Sequence, residues 1–106
     1  MKSLRDPNRK PTHPGEFLRE VVLPELGVTQ TKLAQHLGVS RLTVSEILLE
    51  KRGVSAEMAV RISVVAGGSP ELWLNMQMRL DLWQAQQKFA QHPEMKATPI
   101  SQAVAA

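Results

Sequence analysis

The stretch that most constrains this chain is residues 29–48, TQTKLAQHLGVSRLTVSEIL, in which three residues separate two short amphipathic segments. Apolar residues recur at the helical period in both segments: Leu33, Ala34 and Leu37 in the first, and Val44, Ile47 and Leu48 in the second. Gly38 between them suits a left-handed backbone, and Ala34 is small enough to let a second helix approach closely. Two helices joined by such a tight turn form a helix-turn-helix.

The segment before this pair predicts one more helix. It is expected from Pro14 or Gly15 to Val22, with Thr12 or His13 at its cap, and Pro24 and Gly27 are expected to end it. Its buried stripe would be formed by Phe17, Leu18, Val21 and Val22.

Capping residues mark the starts of the other helices. Thr29 and Ser40 are predicted N-caps of the second and third helices, and Ser55 of a fourth that ends at Gly67 and Gly68. Ser69, Pro70 and Glu71 then open a fifth, longer helix through about Phe89. Five helices without a credible strand predict an all-α fold.

The ends of the chain differ from its middle. Prolines make residues 1–12 a basic extended arm, residues 13–91 form the predicted domain, and residues 92–106 show no amphipathic period and are expected to be a flexible tail. The single domain agrees with a length of 106 residues.

Composition narrows the class of protein. The chain has no cysteine, so neither a disulfide framework nor a thiolate metal site is expected. No apolar run approaches the roughly 20 residues of a membrane span, and the N-terminal residues resemble no signal peptide. We therefore expect a cytoplasmic protein without a membrane partner. The net charge of +3 favours nucleic acid, because the cations concentrate in residues 1–10 and 29–53.

The polar face of the third helix is the predicted reader of double-stranded DNA. If its apolar residues point inward, its N-terminal end is free to enter the major groove. Arg41 can pair with guanine, Glu46 can accept from cytosine N4, and Leu42 can contact a thymine methyl group. Cations and amides at the start of the second helix and after the third are predicted to contact phosphates. The complete predicted DNA-binding set is Thr29, Gln30, Lys32, Ser40, Arg41, Leu42, Thr43, Ser45, Glu46, Lys51 and Arg52.

The last helix is richer in large apolar residues than a core of this size requires. Core packing explains about half of them, and the excess is typical of a subunit interface. The predicted homodimer interface consists of Trp73, Leu74, Met76, Leu80 and Trp83. A homodimer with one reader helix per chain implies an operator that is an inverted repeat. The alternative is a pure interaction module with this helix as its binding surface.

An enzyme is not expected. The candidate reactive groups are His13, His36 and His92 with scattered carboxylates, and no HExxH or similar metal spacing occurs. We expect no cofactor and no catalytic residue.

Three stretches carry a family resemblance: HPGEFLRE, TQTKLAQHLGVSRLTVSEIL and SPELWLNMQMRLDLW. With the KRGVS loop they cover roughly residues 12–83, and the chain resembles the Cro/repressor, XRE-like type of helix-turn-helix. More narrowly, it resembles HigA-family antitoxins of type II toxin-antitoxin modules. The resemblance implies a lambda-repressor-like domain in a homodimer that dimerises through its last helix. It also implies repression of its own operon and neutralisation of a RelE-like toxin that cleaves ribosome-associated mRNA.

Two points stay open after the resemblance. A phage-type repressor without a toxin partner uses the same reader, so the helix-turn-helix does not separate the two functions.

The family commonly has glycine where Glu50 stands. Without a glycine cap there, the third helix can run on to Gly53, which would shift Lys51 and Arg52.

Overall fold

The computed structural model describes residues 9–100, so residues 1–8 of the predicted arm and 101–106 of the predicted tail lie outside the described residues. The described part folds into five helices without a strand, which confirms the all-α prediction. Helix α1 consists of three consecutive segments, Pro14–Phe17, Leu18–Val22 and Leu23–Leu26. The others are α2 (Gln30–Leu37), α3 (Arg41–Leu48), α4 (Ala56–Ala66) and α5 (Pro70–Gln91).

Side-chain caps begin the last four helices where the sequence predicts them. The Thr29 hydroxyl accepts from the Lys32 N–H at 3.1 Å, and the Ser40 hydroxyl accepts from the Thr43 N–H at 3.1 Å. The same bond recurs at the predicted caps Ser55 and Ser69. Each cap satisfies one backbone donor that the helix leaves free and contributes about 1 kcal/mol.

Helix α1 does not end at Val22 as predicted but continues to Leu26, where Gly27 terminates it with a φ of 65°. A proline inside an α-helix lacks a donor and clashes with the carbonyl four residues earlier. Here the segment Leu18–Val22 is a π-helical turn, in which the Leu23 N–H donates to the Leu18 carbonyl. This wider turn directly before Pro24 accommodates the proline ring and lets the helix continue.

Helix α3 stops at Leu48, so the extension to Gly53 that the sequence left open does not occur. Glu50 adopts the left-handed conformation that glycine would have supplied, with a φ of 63°. Its N–H donates to the Ile47 carbonyl at 3.0 Å, and the Lys51 N–H donates to the Glu46 carbonyl at 2.8 Å. These two bonds form a Schellman cap on a residue other than glycine.

The core lies between the helix-turn-helix and the other three helices. It includes all six apolar residues that the sequence assigned to the facing sides of α2 and α3. Trp73 of α5 lies in this cluster. Its ring packs edge-to-face on the ring of Phe17 in α1, with the two ring centroids 5.7 Å apart. The apolar faces of α2 and α3 are therefore fixed against one body, which leaves their polar faces outward.

Candidate nucleic-acid interface

The turn between α2 and α3 is held by its own backbone and by a side chain from α4. Gly38 has a φ of 73°, and its N–H donates to the Ala34 carbonyl at 2.9 Å. The Arg61 Nη1 donates to the Leu37 carbonyl at 2.8 Å, and Glu57 holds the same guanidinium through Nη2 at 3.0 Å. The sequence motif indicated the glycine but not Arg61, because that contact spans 24 residues.

The N-terminal end of α3 presents the predicted reading residues on the surface. Arg41 is exposed, and Leu42 leaves 68% of its surface accessible although it is a large apolar residue. On the opposite face, Val44 and Ile47 are each 2% exposed. Burial thus fixes the rotation of α3 and directs its polar side outward.

Ser40 and Thr43, at the start of α3, are predicted DNA contacts that also have a structural role. The Ser40 hydroxyl caps the helix and lies 2.9 Å from the Thr43 hydroxyl. Ser45 and Glu46, one turn further along, are half-buried. The reading surface is therefore widest at the first turn, at Arg41 and Leu42.

The start of α2 supplies the other predicted contacts. Thr29, Gln30 and Lys32 are all exposed there. A helix N-terminus directs free backbone N–H groups and a partial positive charge outward, which suits an anion such as phosphate.

Arg52, predicted to contact a phosphate, is paired with Glu46, predicted to contact a base. The Arg52 Nη2 donates to the Glu46 Oε1 at 2.8 Å. Lys51 beside it is exposed. The structure brings these two candidates together, a relationship that their separate predicted roles did not include.

A second ion pair fixes the unusual cap at the end of α3. Arg19 of α1 donates to the Leu48 carbonyl and lies 3.4 Å from the Glu50 carboxylate. Its hydrogen bond to the Glu20 carboxylate raises the pKa of Arg19 above its ordinary value, with a smaller contribution from Glu50. No sequence signal indicated this contact, because Arg19 and Glu50 are 31 residues apart.

The loop after α3 is also tied to the last helix. The Gln77 Oε1 accepts from the Val54 N–H at 2.9 Å, and the Gln77 Nε2 donates to Asp81 at 2.8 Å. Val54 is buried, so its N–H depends on this partner. Together with Arg19 and Glu46, Gln77 fixes the path of the chain between α3 and α4.

The predicted interface residues on α5 divide into two groups. Trp73 and Leu80 are each 2% exposed within the single chain, so they belong to its core and offer little surface to a second copy. Leu74, Met76 and Trp83 are half-buried. The exposed large apolar residues of this helix are instead Leu72, Met78, Leu82 and Phe89.

A cleft of about 640 Å³ lies between α5 and the segment that leads into α1. Arg9, Lys10 and Arg79 supply its charged side chains, and Leu72, Leu82 and Trp83 supply much of its apolar lining. Part of the predicted arm thus lies next to the last helix. Residues 92–100 of the predicted tail contain no helix and are exposed.

Within residues 9–100, no group of three or more His, Cys, Asp or Glu residues is arranged to hold a metal ion. In the same range, no helix is both long enough and apolar enough to cross a membrane.

Comparison with known proteins agrees with this geometry. The helix-turn-helix family matches residues 18–73. Antitoxin HigA-1 of Vibrio cholerae is 35% identical over 86 residues, which cover 81% of this chain and 81% of the relative.

Two solved structures are similar over nearly their whole length. Antitoxin GraA in complex with its operator is 39% identical, with a TM-score of 0.78 over 93% of this chain and 99% of GraA. Pseudomonas aeruginosa antitoxin HigA with the higBA promoter is 36% identical, with a TM-score of 0.77 over 86% of this chain and 99% of HigA. The expectation that the chain is not an enzyme agrees with these relatives. The chain belongs to the helix-turn-helix family and, within it, to the DNA-binding antitoxins of the HigA type.

Proposed function

We propose that this chain is a cytoplasmic antitoxin that binds an inverted-repeat operator as a homodimer, represses its own operon and neutralises a RelE-like toxin. The observation that carries the DNA-binding part is the exposure of Leu42 beside Arg41 at the start of α3. The same helix buries Val44, Ile47 and Leu48. An exposed leucine next to a cation suits a groove that offers both a thymine methyl group and base acceptors.

The proposed base contacts come from the first two turns of α3. Arg41 and Leu42 enter the major groove first, and Thr43 and Ser45 lie beside them. The proposed phosphate contacts are Thr29, Gln30, Lys32, Ser40, Lys51 and Arg52. Autorepression is supported by the relatives, since GraA is found with its operator and the Pseudomonas HigA with the higBA promoter.

The homodimer is proposed to form through the exposed side of α5. Leu72, Leu82 and Phe89 leave about half of their surface accessible there. The half-buried Leu74, Met76 and Trp83 contribute the edges that the single chain leaves open. Two copies would place their α3 helices on half-sites about 34–36 Å apart, or a multiple of that distance.

A toxin partner is supported by the antitoxin names of the relatives and by the resemblance in the sequence. The alternative is a regulator of the phage-repressor type without a toxin, since the helix-turn-helix serves both functions equally.

Two experiments test the proposal. Purified full-length protein is titrated against a duplex from upstream of its own gene and against a scrambled duplex, while light scattering measures its mass. We expect selective binding and the mass of a dimer. Equal affinity for both duplexes, or a monomer at micromolar concentration, would contradict the operator or dimer part respectively.

The toxin part is tested by co-expressing the tagged chain with the adjacent reading frame. Co-purification of that product, and relief of its growth inhibition, would support an antitoxin. Selective operator binding without either result would favour the regulator without a toxin.

A further inference from the structure

Glu46 holds the loop after α3 at two points. Its backbone carbonyl accepts from the Lys51 N–H at 2.8 Å, and its carboxylate accepts from the Arg52 guanidinium at 2.8 Å. The Glu46 side chain is 33% exposed and that of Arg52 is 50% exposed. The carboxylate is therefore directed along α3 toward its C-terminal loop and is already engaged by a cation.

This arrangement suits Glu46 poorly for reading a base and suits Arg52 well for holding a phosphate. To read cytosine, the carboxylate would accept from the N4 amino group. Its Oε2 keeps that capacity, but the bond from Arg52 to Oε1 holds the group beside the loop after α3. The guanidinium carries five N–H donors, and the bond to Glu46 uses only one nitrogen, Nη2. Donors therefore remain for an anion beside the loop.

We propose that Glu46 is a positioning residue, whose carboxylate holds the Arg52 guanidinium in place for a DNA phosphate and does not itself contact a base. The inference rests on the DNA binding described above as the proposed function. A free arginine side chain loses rotamer entropy when it is fixed on DNA, and an arginine already held by Glu46 loses less. The pair thus increases affinity without adding sequence information.

The sign of the effect separates this role from simple electrostatics. Removing a carboxylate from a surface near DNA ordinarily strengthens binding, because repulsion with the phosphates is lost. If Glu46 positions Arg52, its removal weakens binding, and does so only while Arg52 is present.

The test is a double-mutant cycle of full-length wild type, Glu46→Ala, Arg52→Ala and the double variant, titrated against the upstream and scrambled duplexes. We expect Glu46→Ala to weaken binding to both duplexes by roughly three- to tenfold. When Arg52→Ala is already present, adding Glu46→Ala should leave binding unchanged or strengthen it. Glu71→Ala, which removes an exposed carboxylate from α5, is the matched control and should not depend on Arg52.

Three results would overturn the inference. Equal losses with and without Arg52, together with lost preference at one base position, would make Glu46 a base reader. Stronger binding after Glu46→Ala, both with and without Arg52, would mean that Glu46 acts only as a charge that repels the phosphates. Wild type that is folded but binds neither duplex would reject the proposed function as well. Thermal unfolding checks each variant, and Glu46→Met, which keeps the side-chain length but has no oxygen acceptor for Arg52, replaces the alanine variant if that variant is unstable.

Discussion

Gly15 of α1 packs directly against the backbone of Ile47 in α3, since a Cβ atom at Gly15 would lie 1.8 Å from the Ile47 carbonyl oxygen. No side chain fits at that distance, and the obstructing atom belongs to the backbone of the proposed reading helix. We expect Gly15→Ala to lower the free energy of unfolding by about 2–3 kcal/mol, as overpacking does in other cores. Urea denaturation measures this change.

Gly27→Ala is the matched control for that substitution. Gly27 has a φ of 65°, but nothing lies within 4 Å of the Cβ position. Gly27→Ala should lower the free energy of unfolding by only roughly 1 kcal/mol, the cost of a left-handed backbone for a residue with a Cβ atom. Equal costs at the two positions would mean that α1 and α3 can separate easily, contrary to the packing described.

His13 should make stability depend on pH. Its Nδ1 accepts from the Gly15 N–H at 2.8 Å, so the cap requires an unprotonated nitrogen. Burial lowers the pKa of His13 below its ordinary 6.5, and Lys10 adds to this, although Glu50, Asp81 and Glu16 oppose it. Because the unfolded chain binds the proton more readily, this stability is present above pH 6.5 and is lost as the pH falls below it.

His13→Asn isolates that contribution, because asparagine also caps helices but does not titrate. When urea denaturation is repeated below pH 6.5, the unfolding free energy of wild type should fall by more than that of His13→Asn. A difference that is constant with pH would exclude His13 as the titrating group.

Glu50→Gly should stabilise the protein although it removes an ion pair. The left-handed backbone at Glu50 is strained for any residue with a Cβ, and glycine relieves about 0.5–1 kcal/mol of that strain. The exposed pair with Arg19 at 3.4 Å contributes little by comparison. Glu50→Ala keeps the strain and loses the pair, so its thermal midpoint should lie below that of Glu50→Gly. A midpoint of Glu50→Gly below that of wild type would show that the ion pair is the larger effect.

Gln77→Ala should destabilise the domain by about 1–3 kcal/mol, because it leaves the N–H of buried Val54 without its partner. Gln84→Ala, two turns later on the same face of this helix but exposed, is the control and should change little. Chemical denaturation of both variants gives the comparison. A similar small change for both would mean that water replaces the amide at Val54.

Arg41→Ala and Leu42→Ala should separate charge from apolar contact on the DNA. Arg41→Ala should cost about 1–3 kcal/mol on the operator, relax preference at one base position and affect random DNA less. Leu42→Ala should leave the slope of log affinity against log salt unchanged, because an apolar contact releases no counterion. Titrations over a salt series test both. Equal losses for Arg41→Ala on both duplexes would mean that α3 holds DNA without reading it.

Local sequence signals predicted most of the fold. Thr29, Ser40, Ser55 and Ser69 each begin a helix where predicted, because a cap depends on residues only three positions apart. The wrong end of α1, and the extension of α3 that the sequence left open and the structure lacks, both involve unusual backbone conformations. The π turn overrides Pro24, and Glu50 takes a conformation that sequence alone assigns to glycine.

The candidate site was predicted less completely than the fold. The helical period correctly placed Arg41 and Leu42 outside and Val44 inside. It did not indicate that Arg52 pairs with Glu46, because the path of a loop depends on contacts with residues distant in the sequence. Nor did it separate Trp73 from the exposed residues of α5, since apolar residues occur around much of that helix and only the fold decides which are covered.

The π turn in α1 also determines where this chain tolerates a change in length. A π turn accommodates one residue more than an α-helical turn, so deleting one residue from Leu18–Val22 would close it and leave both flanking segments in phase. The same deletion within α4 would rotate everything beyond it by about 100°. The closed turn would bring the Pro24 ring against a carbonyl, so the deletion is tolerated only if Pro24 is replaced as well. Homologues that lack this extra residue should therefore also lack the proline, and these two differences should be inherited together.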